Sequence, residues 1–294
     1  VYKMLKSFVE DETKMIANEN DHFEIDLSMD SLSKVSLLAY IENTFGINMN
    51  EEQIENLNTL AKLTDYIENN EHTFNTTTIT WKDILATKVD VKLEKPGITQ
   101  WCTYTFTKIL FGICYRFRFK GSRKLPNTPC IIVANHRCAI DGFLITYNFS
   151  RKINKDTFFF AKEKHWRTKF AQFFAKKNNI ILMDINKNVR QSLQEMCAVL
   201  KKGKNIVIFP EGTRSRDNKM KKFKETFAIL SKELNVPVIP VAITGSESAC
   251  YGGSIIPKFW KKIDIEVMEP MLPAKDQTAE SFRDKIAAMI EKHL

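Results

Sequence analysis

The chain has 294 residues, 44% hydrophobic and 27% charged. That composition excludes a disordered or collagen-like chain and leaves room for one large or two ordinary domains. The net charge of +9 conceals two unlike pieces: residues 1–72 hold 5 Lys/Arg against 15 Asp/Glu, and the rest hold 39 against 20. A piece of net −10 and a piece of net +19 should attract one another. A basic surface alone fits nucleic acid, phospholipid head groups or the acidic piece equally well.

Residues 1–72 read as a small helical bundle. A first helix runs roughly from Val1 to Ala17. A second starts at Asp30 or Ser31, turns Leu32, Val35, Leu38, Ile41 and Phe45 inward, and stops at Gly46. A last helix carries Leu60, Leu63 and Ile67. Residues 73–80 are polar and Thr-rich, as in a linker. From Trp81 to Phe119 the chain is apolar, aromatic and basic. Helical pattern favours a buried helix running into a strand. Trp101 and Tyr104 with Lys108, Arg116 and Arg118 also fit a helix lying in a membrane interface. The uncharged run Ile109–Tyr115 is far too short to span a bilayer, and no signal peptide is visible.

Beyond Leu125, strands are expected at 130–134, 157–161, 180–183, 205–209, 238–243 and 263–267. Helices are expected at 142–150, 164–177, 188–202, 223–234 and 278–292. This alternation predicts an α/β domain with a largely parallel central sheet flanked by helices, behind a small all-α bundle. The six cysteines, at 102, 114, 130, 138, 197 and 250, have no metal-ligand spacing, and the five histidines do not cluster with them. Reduced cytosolic thiols and no metal site are expected.

Two strings carry the chemistry. Asn135-His136-Arg137-Cys138-Ala139-Ile140-Asp141 follows the apolar run Cys130–Ala134. Five residues rotate by about 140° on a helix, so His136 and Asp141 meet only if one sits at a strand end and the other at a helix start. A neutral imidazole there can take a proton from an alcohol, and a carboxylate can fix its tautomer. The second string, Phe209-Pro210-Glu211-Gly212-Thr213-Arg214-Ser215, follows the run Ile206–Phe209. Its guanidinium and two hydroxyls in one turn suit a phosphate. Together they suit acyl transfer to a phosphate-bearing alcohol.

With these blocks, and with Gly121, Leu125-Pro126 and Val236-Pro237-Val238-Ile239-Pro240, residues 121–294 resemble the 1-acylglycerol-3-phosphate and lysophospholipid acyltransferase family. The resemblance implies His136 as general base and Asp141 as its partner. It implies Glu211, Gly212, Thr213 and Arg214 as the glycerophosphate clamp, with Ser215 beside them. Two departures stand out. Ile185 occupies the place where the family often has an Arg, which leaves a second phosphate contact open. Phe223-Lys224-Glu225-Thr226 replaces a Phe-Lys-Lys-Gly pattern.

Residues 20–70 resemble an acyl carrier protein through Asp30-Ser31-Leu32 at the start of an amphipathic helix. The resemblance implies 4′-phosphopantetheine on Ser31. Ser33 and Lys34 make that helix less acidic than usual, which shifts docking toward Glu42, Glu51, Glu52 and Glu55. A carrier ahead of an acyltransferase is similar to the C-terminal part of bacterial fusions with an acyl-activating ligase, so a ligase domain ahead of Val1 is expected.

The expected organisation is a carrier at 1–72, a linker and amphipathic lead-in at 73–100, and an acyltransferase at 101–294. The expected activity is O-acyl transfer from an acyl carrier protein or coenzyme A thioester to a lysophospholipid. The acceptor is 1-acyl-sn-glycerol-3-phosphate, or alternatively 2-acylglycerophosphoethanolamine. The expected location is the inner face of the cell membrane, as a peripheral cytoplasmic protein. A non-catalytic carrier-docking module fits less well, because His136, Asp141 and Arg214 are intact. Nucleic acid is not expected as a partner, since no recognisable binding motif accompanies the charge.

Overall fold

A computed structural model describes residues 1–70, 81–86, 89–94, 97–122, 125–163, 166–183, 189–214, 219–250, 256 and 258–294. The chain divides into two compact units, residues 1–89 with 184–194, and residues 90–183 with 195–294.

The first unit contains α1 (Tyr2–Thr13), α2 (Ser31–Phe45), α3 (Glu51–Asn56), α4 (Leu60–Glu68) and α5 (Trp81–Ala86). Its core is built from Leu5 and Val9 of α1, Leu38, Ile41 and Phe45 of α2, Ile54 of α3, and Leu60, Leu63 and Ile67 of α4. Helix α1 stops earlier than its apolar pattern suggests. Lys14 turns left-handed (φ 57°), and the buried Ala17 hands its N–H to the Glu10 carboxylate. Helix α3 is not evident in the apolar pattern, because only Ile54 points inward. A reciprocal capping box holds it: Asn50 accepts the Gln53 N–H, and Gln53 accepts the Asn50 N–H. Residues 189–190 fold with this unit, where Arg190 pairs with Glu42 and donates its backbone N–H to Glu51. Two of the four acids expected to serve docking are therefore already engaged.

The second unit opens with α6 (Ile98–Cys114) and β1 (Tyr115–Gly121). Then come β2 (Ile131–Ala134), α7 (Asp141–Asn148), α8 (Arg151–Lys155), β3 (Thr157–Lys162), α9 (Lys169–Lys177) and β4 (Ile180–Met183). After α10 (Val189–Lys201), whose first turns lie in the other unit, follow β5 (Asn205–Ile208), α11 (Thr226–Leu234), β6 (Val238–Thr244), β7 (Lys261–Val267) and α12 (Ala279–Lys292). The seven strands form one sheet in the order β1-β7-β6-β2-β5-β3-β4. The central strands are parallel, as expected from the alternation, and β7 runs antiparallel to β6. All of β2 and nearly all of β6 are buried, which suits strands covered by helices on both faces.

Register places the site. Val133 of β2 lies opposite Ile208 of β5, so the two strands end at the same level and deliver the two motif loops side by side.

Helix α6 does not behave as a buried helix. Only Thr107, Phe111 and Cys114 are buried on it, while Trp101, Phe106, Ile109 and Ile113 are exposed. Phe170 and Phe173 of the neighbouring α9 are exposed as well. Among the described residues, no helix is long and apolar enough to cross a membrane.

Candidate active site

The loop after β2 is anchored before it is functional. Asn135 is fully buried and extends the strand ladder with its side chain. Its Nδ2 donates to the Ile243 carbonyl (2.9 Å), and its Oδ1 accepts the Ile243 N–H (2.8 Å). The next residue, His136, is thereby fixed to β6 through its neighbour.

Asp141, the first residue of α7, is completely buried and turns back over the loop. Its Oδ2 accepts the N–H groups of Arg137 and Cys138, both at 2.7 Å, and meets His136 Nδ1 at 2.9 Å. A carboxylate at Nδ1 makes that nitrogen the donor and leaves Nε2 as the basic lone pair. Among the described residues, the other oxygen, Oδ1, has no hydrogen-bond partner.

The second motif closes on the first. The Phe209 ring stacks on the His136 imidazole, with centroids 4.4 Å apart and planes 26° from parallel. Glu211 is 94% buried, at 6% exposure, and both carboxylate oxygens are spent on backbone. Oε1 accepts the His136 N–H (2.8 Å) and Oε2 the Lys221 N–H (3.1 Å). Gly212 takes φ +67°, which a side chain would strain, and the Lys224 stem runs over it. The turn then exposes Thr213 and Arg214 to solvent. Lys221 donates its ammonium to Thr213 Oγ1 (2.9 Å) and to the Arg214 carbonyl (3.3 Å). Ser215 lies outside the described residues, as do Ile185 and the whole Thr-rich 73–80 segment.

Phe209 and Lys221 were not selected in the sequence reading. Stacking and an ammonium folded back over eight residues have no signature in spacing. Glu225, a departure from the resembled pattern, is taken up by Arg283 of α12 (2.6 Å).

Cys138 of the loop is buried, as are Cys250 and Tyr115. Burial, aided by the neighbouring Cys138 thiol, pushes the Cys250 thiol up to about 12, so it holds no thiolate at neutral pH. Burial likewise lifts the Tyr115 phenol above its ordinary range.

In the first unit, Asp30 caps α2, accepting the N–H groups of Leu32 (3.0 Å) and Ser33 (2.9 Å). Ser31 is the first helical residue and is not the cap, so its hydroxyl is not consumed by the helix end. The Lys34 ammonium, which makes the helix less acidic, is paired with Glu24 and largely buried.

Residues 116–244 match the family model described as Acyltransferase, and residues 1–67 match the one described as Phosphopantetheine attachment site. The chain carries an acyltransferase domain preceded by a phosphopantetheine-attachment domain. The acyltransferase domain contains both motif loops. A 1-acyl-sn-glycerol-3-phosphate acyltransferase of Cocos nucifera is 30% identical over 152 residues, 51% of this chain and 45% of that protein. One from Pseudomonas aeruginosa is 26% identical over 149 residues, 49% of this chain and 56% of that protein. The matched segments thus span about half the length of these curated relatives. The fold is similar to that of the crystal structure of the 1-acyl-sn-glycerophosphate (LPA) acyltransferase PlsC from Thermotoga maritima. The TM-score is 0.55 at 24% identity, over 66% of this chain and 77% of that one.

Proposed function

We propose that the chain transfers a fatty acyl group from a thioester to the free hydroxyl of a lysophospholipid, with 1-acyl-sn-glycerol-3-phosphate as acceptor. The observation that carries this reading is the buried Asp141 carboxylate on His136 Nδ1, set beside the exposed Thr213–Arg214 turn. Names of the relatives support the same acceptor.

Chemistry follows from the arrangement. His136 Nε2 takes the proton of the acceptor hydroxyl as its oxygen attacks the thioester carbonyl. Asp141 stabilises the imidazolium that forms. The tetrahedral oxyanion collapses, the C–S bond breaks, and the departing sulfur recovers the proton from His136 Nε2. No acyl-enzyme is required, and the protonated, buried Cys250 offers no nucleophile for one. Thr213, Arg214 and Ser215, with the Gly212 turn, hold the acceptor phosphate so that the hydroxyl is in place. Glu211 acts here as a brace on the His136 backbone, since its oxygens are turned to N–H groups.

Ser31 fits attachment of 4′-phosphopantetheine, because its hydroxyl stands at a helix N-terminus capped by another side chain. That arm supplies a thiol to carry the acyl chain as a thioester. An acyl-activating reaction must load it, in a preceding ligase domain or a separate protein. The basic unit meets the inner face of the membrane through α6 and α9, whose exposed Trp101, Phe106, Ile109, Phe170 and Phe173 are flanked by Lys169, Lys176 and Lys177.

The test is turnover of lysophosphatidate with acyl carrier protein and coenzyme A thioesters, compared with His136→Ala. Absence of product from the wild-type chain with either donor overturns the reading. Flotation with anionic vesicles, wild type against Phe170→Ser with Phe173→Ser, tests the membrane face.

A further inference from the structure

Lys258-Phe259-Trp260-Lys261-Lys262 brackets two aromatic rings with cations, and no acid stands between Glu247 and Asp264. Phe259 is 58% exposed and Trp260 69% exposed, although both rings would gain by leaving water. The turn that presents them is fixed. The Lys258 N–H donates to the Ala249 carbonyl (2.7 Å), and the Trp260 N–H donates to the Cys114 carbonyl (2.6 Å). Trp260 takes φ +64°, in the left-handed region that a bulky side chain rarely adopts. The fold thus bears a strained backbone to hold an indole in solvent. Cations gather around it. Arg116 and Lys262 stand opposite each other in the β1–β7 register, both exposed, and the Arg116 guanidinium lies 5.6 Å from the indole centroid. The acid nearest along the strand, Asp264, is paired with Arg118 (2.5 Å) and reaches Lys262 at 3.9 Å.

Two placements show what the turn faces. Cys114, which holds the Trp260 N–H, ends α6 and follows the exposed Ile113. Phe106, Ile109 and Ile113 recur at helical spacing, so the apolar stripe of α6 continues into the turn. Strand register supplies the second placement. Ala134 of β2 is level with Val241 of β6, and Val241 is level with Val267 of β7. Because β7 runs antiparallel to β6, the residues before Lys261 extend past the sheet in the same direction as His136 extends past Ala134. The aromatic turn therefore stands at the catalytic end of the sheet, farther out than the base.

We propose that the Phe259–Trp260 turn is a wedge that enters an anionic phospholipid surface and sets the catalytic end of the sheet against it. This rests on reading the acceptor as a lysophospholipid, which reaches His136 from a bilayer. Indole and phenyl rings settle at head-group depth, while basic side chains reach the phosphates around them. A second copy of the chain would bring like charges face to face, whereas an anionic surface attracts them.

The experiment uses the full chain and flotation with phosphatidylcholine vesicles, with and without phosphatidylglycerol. Phe259→Ser with Trp260→Gly should weaken partitioning into the anionic vesicles by about ten- to a hundredfold, as two rings stay in water. Arg116→Gln with Lys262→Gln should weaken it by about tenfold, for anionic vesicles alone. Trp260→Gly by itself should leave the melting temperature unchanged or higher, because glycine accepts the left-handed backbone. Turnover of a short-chain acceptor dispersed in water should stay within about twofold in every variant, while turnover of lysophosphatidate in anionic vesicles falls with binding. Equal flotation of wild type and the ring variant overturns the wedge. So does a lower melting temperature for Trp260→Gly with unchanged flotation, which makes the indole structural. A wild type that self-associates without vesicles, and that the ring variant makes monomeric, assigns the rings to a second copy and overturns it too. Wild type that floats through these rings but acylates no acceptor overturns the functional reading and leaves the wedge standing.

Discussion

Two aspartates at two helix starts show how direction decides what a residue does. Asp30 faces forward along α2, accepting N–H groups two and three residues ahead, and it is exposed. Asp141 faces backward from α7, accepting N–H groups four and three residues behind it as well as the His136 ring, and it is fully buried. The forward cap opens a helix and leaves the hydroxyl of the next residue, Ser31, unused by the helix end. The backward one organises a loop and holds the His136 ring at Nδ1. Sequence shows an aspartate before a helix in both cases; only the fold behind each shows which way it turns.

Five substitutions sharpen this contrast. His136→Ala removes the base and should lower kcat by at least about a thousandfold with the fold retained, checked by turnover and circular dichroism. Asp141→Ala should lower kcat by about a hundredfold or more, because loop and ring lose their shared acceptor. Asp141→Asn should cost less. Its amide oxygen can take the place of Oδ2 and its nitrogen that of Oδ1, which has no described partner, so mainly the charge is lost. Equal kinetics for the two Asp141 variants would show that charge, and not geometry, is what Asp141 supplies. Asp30→Ala should leave kcat with an external donor unchanged and destabilise the first unit by about 1 kcal/mol, seen as a shift of a few degrees in its melting transition. Ser31→Ala should alter stability by less than about 0.5 kcal/mol, yet intact-mass analysis after treatment with a phosphopantetheinyl transferase should show no added arm. If Ser31→Ala destabilises as much as Asp30→Ala, the hydroxyl is a structural cap after all.

Legibility in the sequence tracked the range of the interaction. The strands of the second unit are apolar runs between turn residues, and β2, β3, β4, β5 and β6 stand within a residue or two of where pattern puts them. The pairing of His136 with Asp141 was readable because five residues, a strand end and a helix start leave few alternatives. What escaped was long-range. Glu211 reads as a clamp carboxylate in its string, but the His136 N–H arriving from 75 residues away claims it. The exposure of α6 belonged to the less favoured of two sequence readings for a related reason: an aromatic helix looks buried until its neighbours are known, and Phe170 and Phe173 of α9 are exposed as well. Helix α3 was missed because a polar capping box, and not an apolar stripe, defines it.

The position of β1 in the sheet constrains when the catalytic domain can become whole. β1 is hydrogen-bonded to β7 alone, in a register that pairs Tyr115 with Lys261 and Gly121 with Val267. A strand emerging from the ribosome at residue 121 must therefore wait until residue 267 has been made before it finds its partner. At about 5–20 residues per second that is a delay of several seconds or more, with Phe117 and Phe119 of the strand unsheltered. Tyr147 stacks on both of those rings, at 4.2 Å and 5.9 Å between centroids, and follows them by only about 30 residues. Tyr147 thus ties both rings of the edge strand to α7 across a short loop of chain, while the backbone pairing of the same strand closes a loop of about 146 residues.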